Sequence, residues 1–287
     1  MASHTALPVA RTIADLRLTV SDWRRQGFTV GFVPTMGALH DGHLALVQEA
    51  GLRADRVVAS VFVNPTQFAA HEDLDAYPRQ ETRDAELLAG AGCALMYAPS
   101  VEEMYPADAT TTVSVGAPAE GLEGVARPEM FGGVALVVAK LLNQVRPDVA
   151  VFGEKDYQQL MVVRRLAIDL DIPTEIVGMP TVRDGHGLAL SSRNAYLTGE
   201  EQTIARRLNG VLAEAAARTM TGRAVGDVER EAQEALLNAG FSHVDYVAVR
   251  KSENLRPFEG GIVDGPARVL AAAWLGRTRL IDNMAAG

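Results

Sequence analysis

Over roughly the first 180 residues, short β-branched and apolar runs alternate with longer segments in which apolar residues recur every three or four positions. The short runs, residues 29–35, 57–64, 94–98, 149–153 and 174–179, predict buried strands. The segments 44–53, 75–90, 131–145 and 157–170 predict amphipathic helices between them. Strands alternating with helices in this way predict an α/β fold, a mainly parallel sheet flanked by helices. Ligands of such sheets gather at the carboxyl ends of the strands, so chemistry is expected in the loops after Thr35, Asn64 and Gly153.

After about Pro180 the pattern changes. Two alanine-rich amphipathic stretches, 200–219 and 225–239, precede strand-like runs at 243–250, 267–275 and 278–281, which predicts a smaller α+β C-terminal domain. The expected division is 1–181 and 182–287, with the Gly-, Asp- and Ser-rich segment 183–194 as a hinge. Two domains also suit a chain of 287 residues and 48% hydrophobic composition, which is long for a single core.

Charge and composition narrow the partners. A formal charge of -9 argues against a general nucleic-acid binder, which needs many Lys and Arg to displace counterions, so an anionic ligand requires local positive charge. The single cysteine, Cys93, excludes an internal disulfide framework or a multi-cysteine metal site and fits a reducing, cytoplasmic setting. Residues 1–17 carry no secretory-signal pattern, and the most apolar segment, 134–142, is interrupted by Lys140 and too short to span a bilayer. The expectation is a soluble intracellular protein with no membrane partner.

Four segments carry candidate chemistry. The first, Pro34-Thr35-Met36-Gly37-Ala38-Leu39-His40-Asp41-Gly42-His43, runs from a strand into a helix, where backbone N–H groups favour a phosphate and glycines permit close approach. The helix dipole contributes only about 0.3–1 kcal/mol in exposed settings, so imidazoles and other cations must carry much of the anion recognition. On spacing alone the two histidines also fit a coincidence or a metal site, but His71 and His186 stand apart and no third ligand is evident. The second segment, Phe62-Val63-Asn64-Pro65-Thr66-Gln67-Phe68, ends a strand; Asn64 fits a turn cap, and Gln67 can read both a hydroxyl and a carboxylate. In the third, Gly153-Glu154-Lys155-Asp156-Tyr157-Gln158-Gln159, Asp156 fits a helix cap and Lys155 an exposed charge. The expected fold also brings Lys155 out at the same sheet edge as His40 and His43, as a cation for a triphosphate. The fourth, Leu190-Ser191-Ser192-Arg193-Asn194, reads equally as a polar linker or as a flexible phosphate clamp.

In series, PTMGALHDGH, FVNPTQF, GEKDYQQ and LALSSRN resemble the pantothenate synthetase family of the nucleotidylyltransferase superfamily, whose HxGH signature matches His40-Asp41-Gly42-His43. The resemblance runs from Val33 to Asn283. It implies a Rossmann-like domain with a smaller C-terminal lid, a homodimer, and ATP-dependent condensation of pantoate with β-alanine through a pantoyl-adenylate, with Mg²⁺. It further implies ATP contacts from Met36, Gly37, Ala38, Leu39, His40, Asp41, Gly42 and His43, from Gly153, Glu154, Lys155 and Asp156, and from Val182, Leu190, Ser191, Ser192 and Arg193. Pro34, Thr35, Asn64, Gln67 and Gln159 would bind substrate, Gln67 and Gln159 holding pantoate, with Gln67 also near β-alanine. His43 matches the family's catalytic histidine, with His40, Lys155 and Arg193 expected beside it in the chemistry; no protein ligand is expected for the metal. Glu123 and Arg127 match a segment tied to the family's dimer and active-site rim. Met130 departs from the pattern, standing where many relatives carry His, and the serine-rich loop has one arginine and no lysine. Two other readings use the same residues: a nucleotidyltransferase that stops after one transfer, and a nucleotide-binding regulator without catalysis.

Overall fold

Val, Ala and Phe are prominent in the five short apolar runs of the first 180 residues, and all five become strands of one sheet. The computed structural model describes residues 6–68, 74 and 77–287. In chain order the first part contains β1 (Val9–Ala10), α1 (Ile13–Arg25), β2 (Val30–Thr35), α2 (Asp41–Arg53), β3 (Arg56–Val61), α3 (Glu81–Gly90), β4 (Leu95–Tyr97) and α4 (Val101–Met104). It continues through α5 (Glu123–Ala126), α6 (Met130–Val145), β5 (Val149–Gly153), α7 (Tyr157–Asp169) and β6 (Glu175–Met179). The strands form a six-stranded sheet in the order β1-β4-β3-β2-β5-β6, every neighbouring pair parallel.

After β2 that order has one reversal. From β2 the chain winds outward through β3 and β4, then returns to β5 on the other side of β2. β2 and β5 are neighbours, with Gly31 opposite Val149 and Phe32 opposite Ala150. The loops that leave them at Met36 and Glu154 therefore start from the same sheet edge at the switch point, where ligands of open parallel sheets bind. Val33, Val47, Ala59, Met96 and Val151 pack one of the cores on this sheet.

Several boundaries differ from the sequence expectation. The strand expected at 57–64 stops at Val61, because Asn64 caps a 3-10 turn at Pro65–Gln67 and Pro65 has no N–H for a ladder. The helix expected from residue 75 starts at Glu81, beyond Pro78, a residue that disfavours helix at the position before it; Asp75 and Ala76 lie outside the described residues. The helix expected at 44–53 begins three residues earlier, at Asp41, capped by His40.

The chain divides into two compact units. The first comprises 1–119, 127–154 and 162–180; the second comprises 120–126, 155–161 and 181–287. The second is α+β: α8 (Gly199–Ala205), α9 (Arg207–Thr219) and α10 (Val225–Asn238), with an antiparallel sheet of β7 (His243–Lys251), β8 (Ala267–Leu275) and β9 (Thr278–Ala286). The single helix expected over 200–219 is two helices meeting at Arg206, and the strand expected to end at 281 runs to Ala286 in register with β8. Leu208, Leu212, Val228 and Leu236 from the helices pack on Val247, Val269 and Ala271 of the sheet.

Within the first unit, α6 approaches the Pro65–Gln67 turn so closely that a Cβ on Gly133 would stand 2.2 Å from the Thr66 carbonyl oxygen. Backbone cannot yield as a flexible side chain can. Replacing Gly133 by Ala is expected to cost about 1–3 kcal/mol or more through overpacking, read as a lower midpoint in urea unfolding; an unchanged midpoint would show that the contact is loose.

Candidate active site

The turn between β2 and α2 is built around a carboxylate from another element. Gly37 (φ +80°) and Ala38 (φ +51°) are both left-handed, an arrangement that points successive N–H groups into one concavity. Asp84 of α3, 1% exposed, fills it: Oδ2 accepts from Ala38 N at 3.0 Å and Oδ1 from Leu39 N at 2.9 Å. A Cβ at Gly37 would lie 2.9 Å from Asp84 Oδ2, so glycine is required here by the carboxylate as well as by φ. Gly37 N donates to Thr35 Oγ1 at 3.2 Å, and Thr35 Oγ1 in turn donates to the Ser60 carbonyl at 2.7 Å.

The two histidines cap the following helix reciprocally. His40 Nδ1 accepts from Gly42 N at 3.1 Å, and His43 Nδ1 accepts from His40 N at 3.3 Å, with the rings 4.1 Å apart between centroids. A ring nitrogen that accepts carries no hydrogen, so each neutral imidazole carries its hydrogen on Nε2. The sequence suggests that backbone N–H groups of this loop favour a phosphate. In the fold those of Gly37, Ala38, Leu39, His40 and Gly42 have acceptors inside the protein.

The Asn64–Gln67 segment forms a second polar cluster in the same unit. Asn64, 1% exposed, caps its turn by accepting from Thr66 N at 3.3 Å, as the sequence suggests. Its Oδ1 also accepts from Tyr105 OH at 2.8 Å, while Nδ2 donates to Gln67 Oε1 at 3.1 Å and to the Gly133 carbonyl at 3.3 Å. Gln67 Nε2 lies 3.0 Å from Met36 Sδ, which ties this cluster to the histidine turn, and Arg127 Nη2 donates to the Gln67 carbonyl at 3.2 Å. Pro34 and Thr35 end β2, directly before Met36 in the chain.

The remaining candidates divide at the next residue boundary. Gly153 ends β5 and Glu154 follows it in the first unit, whereas Lys155, Asp156, Gln159, Val182 and the 190–193 segment belong to the second. Lys155 Nζ lies 3.8 Å from the Asp156 carboxylate in a 3-10 turn ahead of α7. Val182 and Leu190 close a short antiparallel ribbon, with Leu190 N donating to the Val182 carbonyl at 3.0 Å. Ser191 caps the 3-10 turn at Ser192–Tyr196 by accepting from Arg193 N at 3.3 Å.

Gln158, beside Gln159, is 3% exposed; its Oε1 accepts from Glu123 N at 3.0 Å and its Nε2 donates to the Gly121 carbonyl at 3.2 Å. Glu123 is itself buried, receiving Arg279 Nη1 at 2.7 Å, Arg279 Nη2 at 2.8 Å and Tyr246 OH at 2.8 Å. Burial and the Glu123 charge push the Tyr246 phenol well above its ordinary range, so it stays a donor. No group of three His, Cys, Asp or Glu among the described residues is placed to hold a metal ion; His71 lies outside them.

Asp84, Tyr105, Gln158 and Arg279 are positioning residues that the sequence reading missed. For Asp84 a signal exists: it falls four positions before Leu88 on the buried stripe of α3, where an acidic residue is out of place without donors.

The chain matches the pantoate-beta-alanine ligase family over residues 8–285. A pantothenate synthetase of Mesorhizobium japonicum is 57% identical, covering 96% of each chain, and one of Caulobacter vibrioides is also 57% identical, covering 97% of this chain and 98% of the other. The crystal structure of pantothenate synthetase from Thermus thermophilus matches at a TM-score of 0.90 and 46% identity, over 97% of this chain and 99% of that one. That of a pantoate-beta-alanine ligase from Francisella tularensis, complexed with beta-gamma ATP and beta-alanine, matches at 0.81 and 33% identity over 97% of each.

Removing the Asp84 carboxylate leaves two backbone donors without their acceptor. Asp84→Ala is expected to lose about 1–3 kcal/mol for each donor left unpaired and to speed amide exchange at Ala38 and Leu39. Wild-type stability with unchanged exchange at those two amides would refute the role given to Asp84.

Proposed function

We propose a two-step reaction for this chain, which belongs to the pantoate–β-alanine ligase family and is an enzyme that joins pantoate to β-alanine to form pantothenate, with ATP as co-substrate. A free carboxylate does not acylate an amine at neutral pH, because its oxygen is a poor leaving group. In the first step a pantoate carboxylate oxygen attacks the α-phosphorus of ATP and pyrophosphate leaves. In the second, the amine of β-alanine attacks the acyl carbon of the pantoyl-adenylate, the amide forms and AMP leaves. Positioning and charge stabilisation supply most of the catalysis. The relatives are ligases, which favours neither a single-transfer nucleotidyltransferase nor an inactive regulator.

One observation carries the assignment of roles: His40 and His43 each accept at Nδ1, so each neutral ring carries its hydrogen on Nε2, in the turn that follows β2 beside the switch point. Two such donors suit the charge that builds on the α-phosphate as pyrophosphate departs. By the family resemblance, Met36–His43, Gly153, Glu154, Lys155, Asp156, Val182 and Leu190–Arg193 contact ATP, with the Lys155 ammonium and Arg193 guanidinium on the β and γ phosphates. Pro34, Thr35, Asn64, Gln67 and Gln159 bind substrate, Gln67 and Gln159 holding pantoate, and the Asn64 amide that fixes Gln67 supports this reading. Magnesium enters as substrate MgATP, held by phosphate oxygens and water.

The same reading makes residues 182–287 a lid and the enzyme a cytoplasmic homodimer. Support for the compartment is the family's biosynthetic role and the single buried cysteine. Among the described residues no helix is long and apolar enough to cross a membrane.

Replacing His43 by Ala is expected to slow pyrophosphate release by roughly 10²–10⁴-fold, the range for a positioned acid or base, and near-normal release would remove His43 from the mechanism. A lid further predicts that protease cuts within 183–194 more slowly once ATP and pantoate are bound; equal cutting with and without them would count against it.

A further inference from the structure

The last strand contains two adjacent buried polar residues that the proposed chemistry does not use. Asp282 is 3% exposed and Asn283 4% exposed. Strand pairing fixes both: Asp282 stands opposite Ala271 and Asn283 opposite Leu270 of β8. Burying a carboxylate and an amide together is costly unless each is fully engaged, and both are.

Each holds a different segment of the second unit. Asp282 receives the Arg183 guanidinium as a fork, Nη1 to Oδ2 at 2.6 Å and Nη2 to Oδ1 at 2.9 Å. The same Arg183 donates to the Gly187 carbonyl at 3.0 Å and to the Asn283 carbonyl at 3.3 Å, so it closes the ribbon that carries Val182 and Leu190 and moors it to β9. Asn283 Nδ2 donates to the Lys155 carbonyl at 2.9 Å, and its Oδ1 accepts from Arg268 Nη1 at 2.6 Å. Arg268 also lies 3.8 Å over the Tyr157 ring, and Tyr157 OH donates to the Ser252 carbonyl at 2.9 Å. Asn283 N donates to Asp282 Oδ1 at 2.8 Å, which makes the pair one rigid piece.

We propose that Asp282 and Asn283 are positioning residues that hold the Lys155 turn and the Val182–Leu190 ribbon at a fixed separation, so that the lysine and the serine–arginine segment meet one triphosphate together. This rests on the assignment of Lys155 and Arg193 to ATP. The joint sets ATP binding and the adenylation step, while binding of β-alanine is independent of it. Asn283→Asp is the discriminating change: it keeps an oxygen for Arg268 and removes the donor to the Lys155 carbonyl.

The test measures KM for ATP, KM for β-alanine and thermal midpoint in the full-length enzyme for Asn283→Asp, Arg183→Lys, their double mutant and Lys155→Ala. Asn283→Asp and Arg183→Lys are each expected to raise KM for ATP by about 5- to 100-fold, the range for removing one buried hydrogen-bond partner, with KM for β-alanine within about two-fold. Their effects in the double mutant should fall short of the product of the singles, as for residues in one network. Arg183→Lys keeps the buried Asp282 opposite a cation and serves as the folded variant if Asn283→Asp does not fold. The proposal is overturned if folded variants keep a normal KM for ATP while Lys155→Ala raises it, or if the two KM values rise together. If Lys155→Ala leaves KM for ATP unchanged, the assignment of that lysine to ATP fails instead, and the positioning proposal falls with it.

Discussion

The turn between β2 and α2 depends on a buried carboxylate that accepts from two successive backbone N–H groups. Two consecutive left-handed residues, one of them alanine, are strained by a kcal/mol or so, and the two charge-assisted hydrogen bonds from Asp84 offset that strain. Once Gly37 and Ala38 are fixed, the chain enters α2 with His40 at the cap and His43 three residues on, and each ring is locked by a backbone N–H at Nδ1. The protein thus supplies its own anion to the loop.

Topology and local geometry act together here. The parallel order β1-β4-β3-β2-β5-β6 puts the ends of β2 and β5 side by side, so residues far apart in the chain leave the sheet at one point. Within each unit, buried amides hold the irregular segments: Asn64 fixes Gln67, Gln158 grips the 120–123 segment next to Gln159, and Asn283 fixes the Lys155 carbonyl. An amide donates and accepts at once without carrying a charge into the core, which makes it the least costly way to bind irregular backbone.

Strand and helix identities were legible because periodicity is a local signal, and three of the four motifs begin where strands of the parallel sheet end. Element ends were less legible wherever a cap or proline decided them, as at Asn64-Pro65 and Pro78. The long-range partners left little trace. Glu123 meets Arg279 across 156 positions and Asn283 meets Lys155 across 128, distances over which no spacing rule operates. Asp84 was the exception, a carboxylate on a buried helical stripe whose need for donors is visible before its partners are known.

The proposed chemistry turns on where the imidazole hydrogens sit, and nitrogen NMR of the protein labelled with ¹⁵N at its histidine rings reads that directly. At a pH where the rings are neutral, His40 and His43 should both show an unprotonated Nδ1 and a protonated Nε2. A hydrogen on Nδ1 of either ring would break the reciprocal cap and contradict the arrangement from which the chemistry has been derived.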